Sequence, residues 1–171
     1  MKGYIQVYTG NGKGKTTAAL GLAVRAVGAG KKVFIAQFVK GQIYSEIKAI
    51  KQFLPDITVR QYGLDCFIVK KPTRQDIEVA RKGLEEVSQI LSSGKYDVVV
   101  LDEACIAIYF GLFTAQEFIR VISLKSEGTE LIVTGRNAPQ ELIDLADLVT
   151  EMKEVKHYYT KGIQAREGIE S

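Results

Sequence analysis

Thr9-Gly10-Asn11-Gly12-Lys13-Gly14-Lys15-Thr16-Thr17 is the stretch around which the chain is organised. Before it stands the β-prone run Tyr4-Ile5-Gln6-Val7-Tyr8, and after it the helical pattern Ala18 to Ala26. Strand, glycine loop and helix in that order form the context a phosphate-binding loop requires. Glycines let successive backbone N–H groups turn inward around an anion. The helix that follows aims its positive dipole end at the same point. Lys15 adds a point charge, and the Thr16 hydroxyl is of the type that binds magnesium. The usual pattern has glycine four residues before Gly14-Lys15-Thr16; here Thr9 stands there and glycine follows at Gly10. Lys13 makes the loop unusually basic. The competing reading is a glycine-rich turn that only joins strand to helix.

Outward from this loop, strands and helices alternate to the end. The pattern predicts a helix from about Lys15 to Gly28, stopped by Gly28 and Gly30. A largely apolar strand spans Lys32 to Phe38, a short helix Ser45 to Phe53 before Pro55, and an alternating strand Ile57 to Tyr62. After a loop from Gly63 to Pro72, Thr73 caps a long helix to about Ser92, with Ile77, Ala80, Leu84, Val87 and Leu91 at helical spacing. Val98 to Leu101 is a wholly apolar run of the kind found in central parallel strands. A helix capped by Thr114 to about Leu124, a strand Leu131 to Thr134, a short helix Pro139 to Leu145 and a last strand Leu148 to Met152 complete the alternation. A polar tail follows from about Val155 to Ser171. This order argues for one α/β domain over residues 1–171, with a mostly parallel sheet covered by helices on both faces.

In such sheets ligands bind beyond the carboxyl ends of the strands. That rule gathers Thr9–Thr16, Phe38–Gln42, Gly63–Phe67, Asp102–Glu103 and Gly135–Asn137 on one rim. Asp102 and Glu103 end an apolar strand, where a phosphate-loop enzyme keeps its metal-holding carboxylate; the alternative is that Asp102 caps a turn at Ala104–Tyr109. Arg136 is either a planar, bidentate partner for phosphate or a surface arginine in a salt bridge. Lys40 is either a cation at the rim or a solvated lysine. Phe67 either stacks on a flat ligand or plugs the core. Cys105 reads as a small buried filler rather than a nucleophile. His157 has no catalytic partner in view, and Tyr158-Tyr159 reads as a packing pair.

Composition sets the bounds. At 171 residues the chain is large enough for a substantial core. A net charge of +3 and an isoelectric point of about 8.8, without a long Lys/Arg run, give no argument for a nucleic-acid partner. Two cysteines without metal-type spacing argue against a disulfide framework and for a reducing cytoplasm. The N-terminus does not read as a signal peptide, and no run approaches the ~20 apolar residues that span a bilayer. One histidine rules out a polyhistidine metal centre and weakens any Ser-His-Asp triad.

The loop Thr9 to Ala19 resembles the unusual phosphate loop of the ATP:corrinoid adenosyltransferases, in their phosphate-loop class. Matches continue through Gln37-Phe38-Val39-Lys40-Gly41, Leu101-Asp102-Glu103, Val133-Thr134-Gly135-Arg136 and Ala146 to Met152. They resume at Val155-Lys156-His157, at Gly162 to Arg166 and at Gly168-Ile169. The resemblance implies a P-loop NTPase-like, RecA-like three-layer sandwich. It implies transfer of the 5′-deoxyadenosyl group of ATP to the cobalt(I) of a reduced corrinoid, with release of triphosphate, in adenosylcobalamin synthesis or salvage. ATP would lie reversed relative to ordinary phosphate-loop enzymes, leaving C5′ free.

On this resemblance, Lys15, Glu103 and Arg136 carry the catalytic roles. Thr9, Gly10, Asn11, Gly12, Lys13, Gly14, Lys15, Thr16, Thr17, Lys40 and Phe67 bind the substrates. Thr16, Asp102 and Glu103 hold Mg²⁺ or Mn²⁺. A flavodoxin-like electron donor and a homodimer are implied with them. Relative to longer members, the chain is expected to lack the N-terminal extension that covers the active site. Leu64-Asp65-Cys66-Phe67 stands where some members carry Gly-Phe-Thr-Trp. The rival readings are a small phosphotransferase or ATPase, and a nucleotide-dependent switch or recombinase-type ATPase; no Asn-Lys-x-Asp guanine signature supports a GTPase.

Overall fold

The computed structural model describes residues 2–64 and 71–170. Within them, β1 (Ile5–Thr9), β2 (Val33–Phe38), β3 (Ile57–Tyr62), β4 (Val98–Asp102), β5 (Glu130–Thr134) and β6 (Leu148–Glu151) form a six-stranded sheet in the order β3-β2-β4-β5-β1-β6. Every pairing is parallel, as alternating strands and helices predict. Helices α1 (Lys15–Gly28), α2 (Ser45–Phe53), α3 (Arg74–Ser93), α4 (Ala104–Tyr109), α5 (Ala115–Ile122) and α6 (Gln140–Leu145) connect them. Most boundaries fall within one or two residues of the expected ones. Two elements go beyond expectation: the turn after Asp102 is a complete helix, α4, and the polar tail contains a 3-10 turn, Tyr158–Lys161. Among the described residues no helix is long and apolar enough to cross a membrane.

The pleat of each strand divides its side chains between two cores. Ala19, Ala23 and Ala26 of α1 and Ile50 of α2 meet Val33, Ile35, Val98, Val100 and Ile132 on one face. On the other, Ala80, Leu84, Val87 and Leu91 of α3 and Phe118 and Ile122 of α5 meet Phe34, Ala36, Val99, Leu101, Leu131 and Val133. The small side chains of α1 let it lie close over the sheet, so the loop before it sits above β1. All five residues of β4 are buried, which explains their unbroken apolar run up to Asp102.

Helices α3 and α5 each begin with a reciprocal cap. Thr73 pairs with Asp76 and Thr114 with Glu117, each threonine hydroxyl accepting from the third residue's N–H while that residue's carboxylate accepts from the cap. Thus the helices start where the sequence signals say they start. Near the middle of α3, Gly83 lies against Tyr62, whose ring packs on Phe38 at 5.6 Å between centroids.

A Cβ at position 83 would lie 2.3 Å from Cγ of Tyr62. Alanine is the better helix former by about 1 kcal/mol, but overpacking a buried ring costs about 1–3 kcal/mol. Gly83→Ala is therefore expected to lower the urea midpoint of unfolding. A midpoint at or above that of the parent chain would show that Tyr62 moves aside freely.

Candidate functional site

The carboxyl ends of β2, β4 and β5 and the first turn of α1 meet at one side chain. Asp102, 1% exposed, accepts hydrogen bonds from Thr16 Oγ1 at 2.8 Å and Thr134 Oγ1 at 2.7 Å through Oδ1. Through Oδ2 it accepts from Lys40 Nζ at 3.0 Å and Gln37 Nε2 at 3.2 Å. A buried carboxylate needs such partners, because burying it bare would cost several kcal/mol. The capping alternative for Asp102 does not hold: its oxygens face the phosphate loop. Residue 103 takes the N-cap position of α4 without a side-chain cap bond.

The phosphate loop lies over this point. Gly10 and Gly14 adopt φ of 95° and 120°, which glycine reaches without strain. Gly10 and Gly12 also answer to a neighbour: a Cβ on either would stand 2.5 or 2.6 Å from the carbonyl oxygen of Met152. The chain leaves β6 one residue sooner than its sequence suggests, and that carbonyl accepts from Gly12 N–H at 2.6 Å. Lys15 is 7% exposed and donates to the carbonyl of Gly12 at 2.7 Å. Burial, above all, lowers its ammonium from the usual lysine range. Thr9 is buried, and its hydroxyl accepts from Ala138 N–H at 3.4 Å, tying the loop's start to the β5–α6 connection. Asn11 and Thr17 are exposed.

Lys40 is no solvated lysine. Its side chain is 18% exposed, and Nζ also lies 3.5 Å from Thr16 Oγ1. Burial would lower its ammonium, but Asp102 and Glu103 outweigh that and hold it above the ordinary lysine range. The Glu103 carboxyl is pushed above the carboxylate range, by burial first and by repulsion from Asp102 second; Lys40, Lys15 and Arg136 oppose the rise. Arg136 is exposed, and among the described residues it forms no ion pair, while its charge is felt at both Lys15 and Glu103.

Among the described residues, three non-glycine residues have left-handed backbones: Val39 at φ 64°, Glu103 at 58° and Asn137 at 57°. Each follows β2, β4 or β5 on this same rim, where such strain gathers around binding sites. Gly41 and Gly63 bring the β3 exit to the rim as well, since a Cβ on Gly63 would lie 2.4 Å from Lys40 N and one on Gly41 2.4 Å from the Leu64 carbonyl carbon. Phe67 and Cys66 lie outside the described residues. Cys105 is a buried filler, as its sequence context suggests, with burial pushing its thiol up to about 12. Gly135 allows that packing, because a Cβ there would be 2.8 Å from Cys105 Cβ. His157 caps the 3-10 turn by accepting from Tyr159 N–H at 3.1 Å. Tyr158 and Tyr159 do not pack as a pair: Tyr158 is half-buried, while Tyr159 is 68% exposed.

Sequence reasoning missed Gln37 and Thr134. Gln37 lies beside Asp102 and Gln61 in register, and passes a polar chain along the strand ends as Gln61 Nε2 donates to its Oε1 at 3.2 Å. A fully buried amide in the apolar run Val33–Phe38 was the available signal. Thr134 donates to Asp102 and accepts from Glu103 N–H at 3.0 Å, which fixes the strained residue 103.

Asp102 →Asn puts an amide NH₂ where a carboxylate oxygen now faces donors. It is expected to destabilise the fold by about 1–3 kcal/mol, the cost of unpaired buried polar groups. Thermal unfolding without nucleotide measures this, and an unchanged midpoint would mean that the network contributes nothing to folding.

The family model for the ATP:corrinoid adenosyltransferases BtuR/CobO/CobP matches residues 1–171. The chain is 33% identical over 170 residues to the corrinoid adenosyltransferase of Escherichia coli K12, covering 99% of this chain and 86% of that one. It is 34% identical over 170 residues to the corrinoid adenosyltransferases of Pseudomonas aeruginosa and Salmonella typhimurium, covering 99% of this chain and 84% and 86% of theirs. With a match over its whole length and a phosphate loop joined to a strand-end aspartate, this chain belongs to the ATP:corrinoid adenosyltransferase family.

Proposed function

We propose that this chain transfers the 5′-deoxyadenosyl group of ATP to the cobalt(I) of a reduced corrinoid and releases triphosphate, in the synthesis or salvage of adenosylated cobalamin. The observation that carries the reading is the contact between Thr16 and Asp102 at the mouth of the phosphate loop, in a chain of this family. In the reaction cobalt(I) supplies the electron pair, a Co–C5′ bond forms, and the C5′–O bond breaks with its electrons leaving on triphosphate. Cobalt(I) is itself a strong nucleophile, so the protein needs no general base. Its tasks are to align C5′ with cobalt and to stabilise charge on the departing triphosphate.

The loop Thr9 to Thr17 wraps the phosphates in this reading. Lys15 and Arg136 are its cations for the leaving group, because the charge of Lys40 is matched by Asp102. The oxygens of Thr16, Asp102 and Glu103 offer a hard donor set of the kind Mg²⁺ or Mn²⁺ takes, and the position of the Lys40 ammonium near Thr16 and Asp102 supports the reading of a cation there. Among the described residues no three His, Cys, Asp or Glu gather as a metal cage, so substrate phosphates and water would complete the shell. When bound, such an ion would neutralise phosphate charge. Phe67 belongs to the corrin contact in this reading: its loop leaves the rim at Gly63–Leu64, beside Lys40 and Gly41. A flavodoxin-like electron donor and a homodimer accompany the proposal through the family resemblance, and a cytoplasmic setting through the cysteine usage.

The deciding experiment is incubation with ATP, Mg²⁺ and chemically reduced cobalamin. Triphosphate and a light-sensitive adenosylated corrinoid are expected; ADP and phosphate would point to a phosphotransferase, an ATPase or a switch instead. Lys15→Ala should lower turnover by about 10²–10³-fold, the cost of one charge-stabilising donor in a closed site. Parent-like kinetics in a folded variant would remove Lys15 from the site. Phe67→Ala should slow adenosylation of cobalamin supplied as cobalt(II) with a reductant more than that of pre-reduced cobalt(I), because only the former must shed an axial ligand. Equal slowing with both would assign Phe67 to packing.

A further inference from the structure

The segment after β6 folds back over the phosphate loop, and Lys13 is where the two join. Lys13 Nζ donates to Glu170 Oε1 at 2.8 Å, to the Ile169 carbonyl at 3.0 Å and to Tyr158 Oη at 3.2 Å. An ammonium group has three hydrogens and no acceptor. Three partners use all of them, and every partner lies in the last thirteen residues described. The Glu170 carboxylate is the hub on the other side. It also accepts from Tyr158 Oη, from Arg166 N–H at 2.9 Å, and from Arg166 Nε and Nη2 at 3.2 Å each. Its side chain is 16% exposed. Arg166, foremost, and then Lys13 and Tyr158 hold its carboxyl far below the usual carboxylate range. The Arg166 guanidinium stacks over the Tyr158 ring at 5.2 Å, which closes the cluster. Between loop and segment lies a cavity of about 370 Å³, lined by Gly12, Lys13, Lys153, Val155, His157 and Tyr158 among others.

We propose that Lys13 and Glu170 form a latch that holds the C-terminal segment across the phosphate loop and completes the outer wall of the nucleotide site. Both are then positioning residues. Lys13 acts on ATP through the segment it anchors, and not by contact with phosphate. The segment in turn keeps Met152 against Gly10 and Gly12, which sets the curvature of the loop. The reaction that this wall serves is the adenosyl transfer proposed above, but the latch is read from ATP binding alone.

Simple electrostatics and the latch predict opposite signs. Glu170 is an anion near the phosphate loop, so its removal should tighten ATP binding if Lys13 is a phosphate ligand released from competition. If the latch operates, the same change loosens the wall and weakens binding. Calorimetric titration with Mg²⁺ and ATP, paired with hydrogen exchange across residues 155–170, separates the two. Lys13→Met and Glu170→Ala are each expected to weaken ATP binding about fivefold to tenfold and to speed exchange in the segment. The double variant should be no worse than the weaker single one, as for residues acting as one unit. Lys13→Arg should preserve both readings. Tyr158→Phe removes one hydroxyl and keeps the ring, so it gives a smaller change of the same sign if a larger substitution perturbs folding. Tighter or unchanged binding in Glu170→Ala, additive losses in the double variant, or unaltered exchange would each overturn the latch. A parent chain that shows these effects yet makes no adenosylated corrinoid would overturn the transfer reading and leave the latch standing.

Discussion

Asp102 is the side chain on which the site depends. One buried carboxylate receives the first turn of α1 through Thr16, the end of β2 through Gln37, the loop beyond it through Lys40, and the end of β5 through Thr134. The donors come from three separate parts of the chain, the start of α1, the end of β2 with the loop after it, and the end of β5, and sequence separations reach 86 residues. An ionised group in a dry place has little tolerance for a lost partner. The rim is therefore set by mutual need: the carboxylate is met by four donors, and the three segments that carry them are drawn to fixed positions by supplying them. The same requirement explains the backbone strain beside it. Glu103 holds its left-handed conformation because Thr134 occupies its N–H, and that conformation turns the chain from a buried strand directly into α4.

A second constraint comes from the far edge of the sheet. Strand β6 is exposed throughout, and it stands next to β1. Its exit places the Met152 backbone against Gly10 and Gly12 of the phosphate loop. Two loop glycines thus serve a packing purpose, since no Cβ fits at Gly10 or Gly12. The displaced glycine pattern, with Thr9 where glycine is usual, has a physical reason here. The Thr9 hydroxyl accepts from Ala138 N–H, a bond that glycine could not make, so the position holds neighbouring chain.

The order and type of the main sheet and helix elements were legible in the sequence because their signals were local. Capping residues Thr73 and Thr114, the four-residue apolar run before Asp102 and the alternation of periods all act within a few positions. The gathering of Thr16, Lys40, Asp102 and Arg136 on one rim was also legible, through the strand-end rule. What was not legible depends on contacts distant in sequence. Gln37 reads as one polar residue in a strand until β4 is placed beside it. Thr134 reads as a strand terminus until Asp102 needs a second hydroxyl. The tail reads as polar and featureless, because a salt bridge 157 residues apart leaves no periodic trace.

The charges on the rim then divide by what neutralises them. Lys40 is paired with Asp102 and Lys13 with Glu170. Lys15 rests on a backbone carbonyl, with its ammonium already destabilised by burial, and among the described residues no ion pair engages it or Arg136. A cation that is desolvated and lacks a counter-charge gains most from an arriving anion, because the cost of stripping its water has been met in folding. A paired cation gains less, since it must give up one carboxylate to meet another anion. That difference puts Lys15 ahead of Lys40 and Lys13 for an arriving anion, while Arg136 is exposed and, among the described residues, held by no carboxylate. The basic character of the loop, taken from composition alone, overstates its positive field, because Lys13 is already paired with Glu170.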